Sequence, residues 1–210
     1  MPAEALRCEL ISWSRVYRLA GRLAFTILES GFQPEVIVGI ARGGYVPARI
    51  LCDFLDVYAL TSIRVVHYAS GARKKPLAEV TDSLCTDITG KRVLIVDDVS
   101  DTGDTYAAAI SHLAGHEPLE IRTAVLLHKT TASYQPDYIG RRVIKWRWMI
   151  YPWALIEDVT GFIERMEPCP RGPEETARRL QSDYGLKLSQ TALRTVLRVL
   201  ELRGPVQYAG

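Results

Sequence analysis

Val93-Leu94-Ile95-Val96-Asp97-Asp98-Val99-Ser100-Asp101-Thr102-Gly103-Asp104-Thr105 runs four apolar residues into two adjacent carboxylates and then into a short turn of Asp, Thr and Gly. Val93 to Val96 is mostly β-branched and shows no polar alternation, the pattern of a parallel strand covered on both faces. Sheets of that kind bind ligands beyond the carboxyl ends of their strands, which puts the acidic pair at a ligand site. Asp97 and Asp98 offer only acceptors and suit a vicinal diol. Thr102, Gly103 and Thr105 offer hydroxyls and closely approaching N–H groups at the start of a helix, which suit a phosphate. A bare Asp-Asp pair is more often an acidic turn. The apolar run before it and Thr-Gly-x-Thr after it tip the balance toward a polyol- and phosphate-binding site.

The segments on either side alternate between strand and helix. Upstream, Ser12 can cap a helix whose Val16, Leu19, Ala20, Leu23 and Ile27 recur at helical spacing until Gly31 and Pro34 stop it. Val36 to Ile40 reads as a short strand, Ala41-Arg42-Gly43-Gly44 as the loop after it, and Val46, Ile50, Leu51 and Phe54 as the face of a second helix. Ser62 to Tyr68 reads as another strand, and Ala69 to Gly90, which carries Arg73-Lys74-Lys75-Pro76, as a long polar loop of the sort that is often functional. Downstream, Thr102 begins a helix that runs to Ala114, and Ile121 to Leu127 is a strand. This order predicts an α/β fold with a parallel sheet. Lys145 to Trp153 is dense in aromatics, and Pro168, Pro170 and Pro173 mark a boundary. Beyond it, one helix starts at Pro173-Glu174-Glu175, carries Ala177, Leu180 and Tyr184 on one side, and breaks at Gly185. A second is capped by Ser189, bears Leu193, Val196, Leu197 and Leu200, and ends at Gly204-Pro205.

With 210 residues, 48% of them hydrophobic and 24% charged, the chain can bury one good core and a small second unit. A net charge of +2 with both signs spread along the chain does not suggest a nucleic-acid or membrane surface. No apolar run approaches the roughly 18 residues that a membrane span needs. Cys8, Cys52, Cys85 and Cys169 have no paired spacing for zinc and no secretory pattern before them. Reduced thiols in a cytoplasmic protein, behaving as small hydrophobes, are the simplest reading.

The motif from Val93 to Thr105 resembles the phosphoribosyl pyrophosphate (PRPP) signature of the type I phosphoribosyltransferases, with Ser100 where relatives carry an aliphatic residue. The resemblance spans residues 10 to 160. It implies that fold: a central, mostly parallel sheet flanked by helices, with a small hood. The implied division is a core over residues 1–165, including a flexible loop at 69–90 and a hood at 143–156, and a C-terminal helical unit over 170–210. The reaction it implies is displacement of pyrophosphate from PRPP by a purine nitrogen, yielding a purine nucleoside monophosphate, with Mg2+ as cofactor and a homodimer as the assembly. Residue by residue, the resemblance gives Asp97 and Asp98 the ribose hydroxyls and the metal, reached through water. Asp101, a catalytic candidate that is also counted among the PRPP-binding residues, takes the place beside purine N7, and Thr102, Gly103, Asp104 and Thr105 hold the 5'-phosphate. Ala41, Arg42, Gly43 and Gly44 form the pyrophosphate loop, with Arg42 the second catalytic candidate. Tyr68 and Ser70, near the Ser-Tyr pair of the closing loop, are the further PRPP-binding candidates. Lys129 matches the lysine that relatives set against a 6-oxo group, and a lysine, being a donor only, complements a carbonyl and not an amino group. Trp148 is the residue that stacks on the base, with Met149 and Ile150 beside it reading the base edge through the backbone, while Trp146 and Trp153 are assigned to core or interface.

Local residues and overall layout point to different bases. Lys129 and the Trp148 hood favour hypoxanthine, guanine or xanthine. Ala154, where relatives carry an acid after Pro-Trp, and the C-terminal helices resemble the layout of archaeal adenine phosphoribosyltransferases, and the expectation leans to adenine and AMP. In that case Lys129 would not donate to the base. A PRPP-sensing transcriptional regulator is the alternative of a different class, with Arg178, Arg179, Lys187, Arg194, Arg198 and Arg203 making the C-terminal helices modestly basic and Gly185 between them. Helical units of mixed charge more commonly cover a core or form a dimer contact, so nucleic acid is not an expected partner.

Overall fold

The apolar run Val93–Val96 forms the centre of β5 (Arg92–Ser100), and all four side chains are fully buried. In this computed structural model, which describes residues 6–69 and 73–204 apart from the side chains of 67–69 and 73–77, two compact units form, over Ser14–Lys145 and over Met1–Trp13 with Trp146–Gly210.

The first unit is built on a six-stranded sheet ordered β4 (Arg73–Asp82), β3 (Leu60–Ala69), β2 (Val36–Ala41), β5, β6 (Glu120–Lys129) and β7 (Tyr138–Val143). All neighbours are parallel except β3 and β4. Alternate residues of β2 and β5, Val36, Val38, Ile40, Val93 and Ile95, pack against Tyr106, Ala109 and Leu113 of α3 (Asp104–Ala114). The opposite face is covered through α2 (Tyr45–Leu55), whose Ala48 lies against Gly39. Phe54 of α2 then meets Gly21, Tyr17 and Phe25 of α1 (Trp13–Glu29). Burying each large aliphatic side chain in such a sandwich contributes about 1.5–3 kcal/mol. The stripe Val16, Leu19, Ala20, Leu23 and Ile27 is the buried face of α1, as its spacing predicts.

Three elements differ from the sequence reading. The middle of the expected loop at 69–90 is β4, antiparallel to β3 at the edge of the sheet. Charges and Pro76 made it look unlike a strand, but an edge strand tolerates a proline and is protected by charge. The rest of that segment tucks Leu84 and Ile88 into the core. Helix α3 begins at Asp104 and not at Thr102, because Gly103 has a φ of +99°, outside helical space. Strand β7, which the reading passed over, begins directly after Pro136-Asp137.

In the second unit, β1 (Cys8–Leu10) pairs in parallel with β8 (Trp148–Ile150). Helices α4 (Leu155–Glu164), α5 (Gly172–Tyr184) and α6 (Gln190–Arg203) close a core of Val159, Phe162, Ile163, Leu180, Leu193 and Val196, which also takes in Cys8 and Ile150. The hood segment therefore clusters with the terminal helices and the N-terminal strand, a division different from the 1–165 and 170–210 expected. Gly185 ends α5 in the left-handed conformation, and the Ser189 hydroxyl caps α6 by accepting from the Ala192 N–H at 3.2 Å. All four cysteines are free. Burial, reinforced by Asp158, pushes the Cys8 thiol up to about 12, which keeps it protonated and inert. Among the described residues no helix is long and apolar enough to cross a membrane.

Candidate active site

The first unit brings the predicted acidic pair, the glycine loop and the phosphate turn together at the carboxyl end of β5. Asp97 is 8% exposed and its Oδ1 accepts the Asp98 N–H at 2.9 Å. Burial, and secondarily the neighbouring Asp98 carboxylate, hold the Asp97 carboxyl well above the usual range. A carboxylate kept in so poor a solvent gains more than an exposed one would from a ligand that donates hydrogen bonds or brings a cation. The Asp98 carboxyl group fills the space over Gly43: a Cβ built there would lie 2.5 Å from it. Glycine at 43 is thus what lets the loop after β2 close on the acidic pair. The Ala41–Arg42 peptide in that loop is cis, and Arg42 is exposed.

The turn from Asp101 to Thr105 is held from below and beside. The Thr102 hydroxyl donates to Asp104 Oδ2 at 2.8 Å, so the Asp104 carboxylate is turned onto its own loop. The Thr102 carbonyl accepts two bonds from Ser133, from its N–H at 2.8 Å and its hydroxyl at 2.7 Å. A Cβ at Gly103 would lie 2.6 Å from the Tyr134 Cβ, so both the φ and the packing require glycine. Tyr134 in turn stacks on Tyr106 at 5.4 Å, and the Tyr106 hydroxyl donates to the Ala124 carbonyl at 2.8 Å. Ser133 and Tyr134 escaped the sequence reading. The only signal was their place in the connection between β6 and β7, which carries no motif of its own.

Lys129, the last residue of β6, is not the solvent-facing lysine that a strand end usually supplies. Its side chain is 4% exposed and its Nζ stands 3.0 Å from Asp101 Oδ2, while the Asp101 side chain keeps 31% exposure. Burial pulls the ammonium below its ordinary value, and the bond to Asp101 opposes that pull. An ammonium donates and cannot accept, so Lys129 complements an oxygen and not an amino group. Ser100 is buried, and its hydroxyl has no partner.

Other expected residues are placed less directly. Tyr68 lies on β3 by its backbone, and Ser70 lies outside the described residues. In the second unit Trp148 is 37% exposed, whereas Met149 is buried and Ile150 belongs to the core. The backbone of this strand is engaged on one side, the Trp148 N–H donating to the Arg7 carbonyl and the Ile150 carbonyl accepting from Ile11. Trp153 stacks on Tyr151 at 4.6 Å and meets Trp13 at 5.8 Å, a packing role. Trp146 is instead 46% exposed.

Among the described residues no group of three or more His, Cys, Asp or Glu side chains forms a metal cage. The acidic pair instead fits a hard cation that takes one or two carboxylates and completes its shell with water and substrate oxygens, as Mg2+ does.

Comparison with known proteins agrees with this arrangement. The phosphoribosyl transferase domain family matches residues 9–156. A xanthine-guanine phosphoribosyltransferase from Ruegeria sp. (strain TM1040) is 31% identical over 155 residues, covering 69% of this chain and 84% of that protein. The bifunctional protein PyrR of Clostridium perfringens (strain SM101 / Type A) is 32% identical over 151 residues, covering 66% and 84%. A solved purine phosphoribosyltransferase from Pyrococcus horikoshii Ot3 superposes with a TM-score of 0.60 at 36% identity over 69% of this chain and 93% of that one. With the family matched over residues 9–156 and the mostly parallel sheet ending in an acidic pair, a glycine loop and a Thr-Gly turn, this chain belongs to the type I phosphoribosyltransferases.

Proposed function

We propose that the protein is a purine-salvage enzyme that moves the 5-phosphoribosyl group of PRPP to a 6-oxopurine, releasing pyrophosphate and a nucleoside monophosphate. The observation that carries the choice of base is the buried Lys129 ammonium, held 3.0 Å from Asp101 and able to donate but not to accept. The lean toward adenine and AMP gives way. The Ruegeria relative is named for xanthine and guanine. The features that favoured adenine also have structural explanations: Ala154 precedes α4 as its N-cap residue, and the terminal helices build the core that β8 packs against.

In this reading a purine nitrogen forms a bond to C1', the bond from C1' to the pyrophosphate oxygen breaks, and the nitrogen gives up its proton. Asp97 and Asp98 accept from the two ribose hydroxyls and fix the ring. The N–H groups of the turn at Gly103 to Thr105 and the Thr105 hydroxyl hold the 5'-phosphate, so that C1' is presented for attack. Asp101, beside N7, accepts or relays the proton and holds Lys129 toward the 6-oxo group. Arg42 and the loop amides at Gly43 and Gly44 stabilise the charge that leaves with pyrophosphate. Asp97 and Asp98 are the residues that would hold Mg2+, through water, and the ion would supply further neutralisation of that charge. Trp148 offers a flat, partly exposed ring for the base to stack on.

The test is product identification by mass spectrometry after incubation with PRPP, Mg2+ and an equimolar mixture of hypoxanthine, guanine, xanthine and adenine. Nucleotides of the oxopurines are expected. AMP alone overturns the choice of base, and absence of any nucleotide overturns the transfer.

A further inference from the structure

Residues 157–204 lie beyond the stretch that matches the phosphoribosyl transferase family, and the proposed transfer uses none of them. They complete α4 and supply α5 and α6, which pack on one another around Val159, Phe162, Leu180, Leu193 and Val196. Helix α5 is closed by Gly185 at φ +69°, whose N–H donates to Gln181, with the Leu186 N–H on the Leu180 carbonyl. Buried Leu186 then leads into Ser189, the cap of α6. Two helices joined by a five-residue connection, 185–189, that opens on glycine, with a third helix packed against both, share the connectivity of a helix-turn-helix.

The outward face of α6 has the matching chemistry. Gln190, Thr191, Arg194, Thr195 and Arg198 are all exposed, while Leu193 and Val196 point inward. At 3.6 residues per turn those five fall within an arc of about 140° opposite the buried stripe. No acid lies among them. Glu201, one turn further on, bonds Arg198 at 2.7 Å, but both side chains are more than 60% exposed, so the contact is easily exchanged. Between Arg171 and Gly204 seven Lys and Arg stand against four Asp and Glu, a net +3 in a chain whose total is +2. Lys187 in the turn and Arg178 on α5 are exposed as well. Arg179 is excluded from this set because it bonds the Pro168 carbonyl and pairs with Asp183.

Gln and Arg are the side chains that read adenine and guanine edges in pairs of hydrogen bonds, Thr contacts thymine methyls, and both Thr and Arg reach phosphates. A second copy of this chain fits less well, because like charges would face each other and Leu202 is the only large hydrophobic residue of α6 that is well exposed. An A-form RNA duplex fits less well too, because its major groove is too narrow for a helix. We infer that this phosphoribosyltransferase carries a duplex-DNA-binding element in which α6 enters the major groove. The sequence already marks these helices as modestly basic; the fold adds that Arg194 and Arg198 share one exposed face of α6 with Gln190, Thr191 and Thr195.

Fluorescence anisotropy of the full-length protein against a short random-sequence DNA duplex tests this at ~50 and ~200 mM salt, with single-stranded DNA and duplex RNA beside it. Two to four phosphate contacts predict that duplex affinity falls about 10- to 150-fold between the two salts. The double variant Arg194→Glu/Arg198→Glu is expected to lose at least about tenfold in affinity at low salt, with transferase turnover unchanged. Should circular dichroism show that helix is lost, Arg194→Gln/Arg198→Gln replaces it. Iterative selection from the random pool is expected to converge on a shared motif. The inference is overturned by no duplex binding at the lower salt, by variants that bind as well as wild type, by equal or tighter binding of single strands or duplex RNA, or by a pool that yields no motif.

Discussion

Replacing Asp97 by asparagine should stabilise the fold and cripple the enzyme together. The side chain is 8% exposed and sits beside Asp98, and burial is the main reason its carboxyl holds its proton above the usual range. Asparagine keeps the Oδ1 acceptor for the Asp98 N–H and removes the charge. The sign follows from linkage. A carboxyl whose folded pKa is raised adds stability that is fully present below its unfolded value, near 3.8, and is lost as the pH rises through the folded value. As the pH rises above the unfolded value the wild type gives up that contribution progressively, and the variant is free of the penalty. Relief of a poorly compensated buried group is worth about 1–3 kcal/mol. For a chain of this length each kcal/mol moves Tm by roughly 2–4 °C, so a rise of about 2–12 °C is expected at pH 7. Losing charge-assisted bonds to the ribose hydroxyls, at about 1.5–3 kcal/mol, lowers kcat/KM for PRPP about 10- to 150-fold. Differential scanning fluorimetry from pH 4 to 8 and steady-state kinetics read the two effects. A variant that melts lower than wild type at pH 7, or a Tm gap that does not narrow as the pH falls, would refute the reasoning.

Two further substitutions probe the other halves of the site. Lys129→Met should lower kcat/KM for hypoxanthine or guanine by about 10- to 150-fold, the loss of one charge-assisted bond, while the KM for PRPP stays within about twofold, because the lysine is assigned to the base alone. Steady-state kinetics varying each substrate in turn separates the two effects. Gly103→Ala forces a side chain into a φ of +99° and within 2.6 Å of the Tyr134 Cβ. Strain of about 1–3 kcal/mol is expected as a lower Tm, together with a KM for PRPP that rises more than that for the base.

The apolar run Val93–Val96 and the stripe on α1 were legible because burial on both faces or on one side leaves a periodicity that nothing else imitates. The terminal helices were legible from their punctuation, since Gly185 and Ser189 do in the fold what their chemistry suggests. Strand β4 was hidden because an edge strand draws its stability from one neighbour and its charges from the need to stay unpaired on the other side. Within the site, Asp97, Gly43 and Gly103 announced themselves by type and spacing. Ser133 and Tyr134 did not, because a residue that steadies a loop through contacts made by its backbone and a small hydroxyl leaves no pattern in its own neighbourhood. The ion pair between Asp101 and Lys129 could not be foreseen either: Lys129 was matched to a base, not to an acid that lies 28 positions before it.

Strand β1 pairs with β8 across about 140 residues of intervening chain, and this orders events during synthesis. At roughly 5–20 residues per second, the segment Cys8–Leu10 leaves the ribosome about 7–28 s before its partner is made. All of the six-stranded sheet is translated in that interval, so that body can condense first, while the earliest strand waits with an open edge. Slower translation between Leu10 and Trp148 would lengthen the wait, and nascent chains stalled there should be the ones that engage chaperones or aggregate.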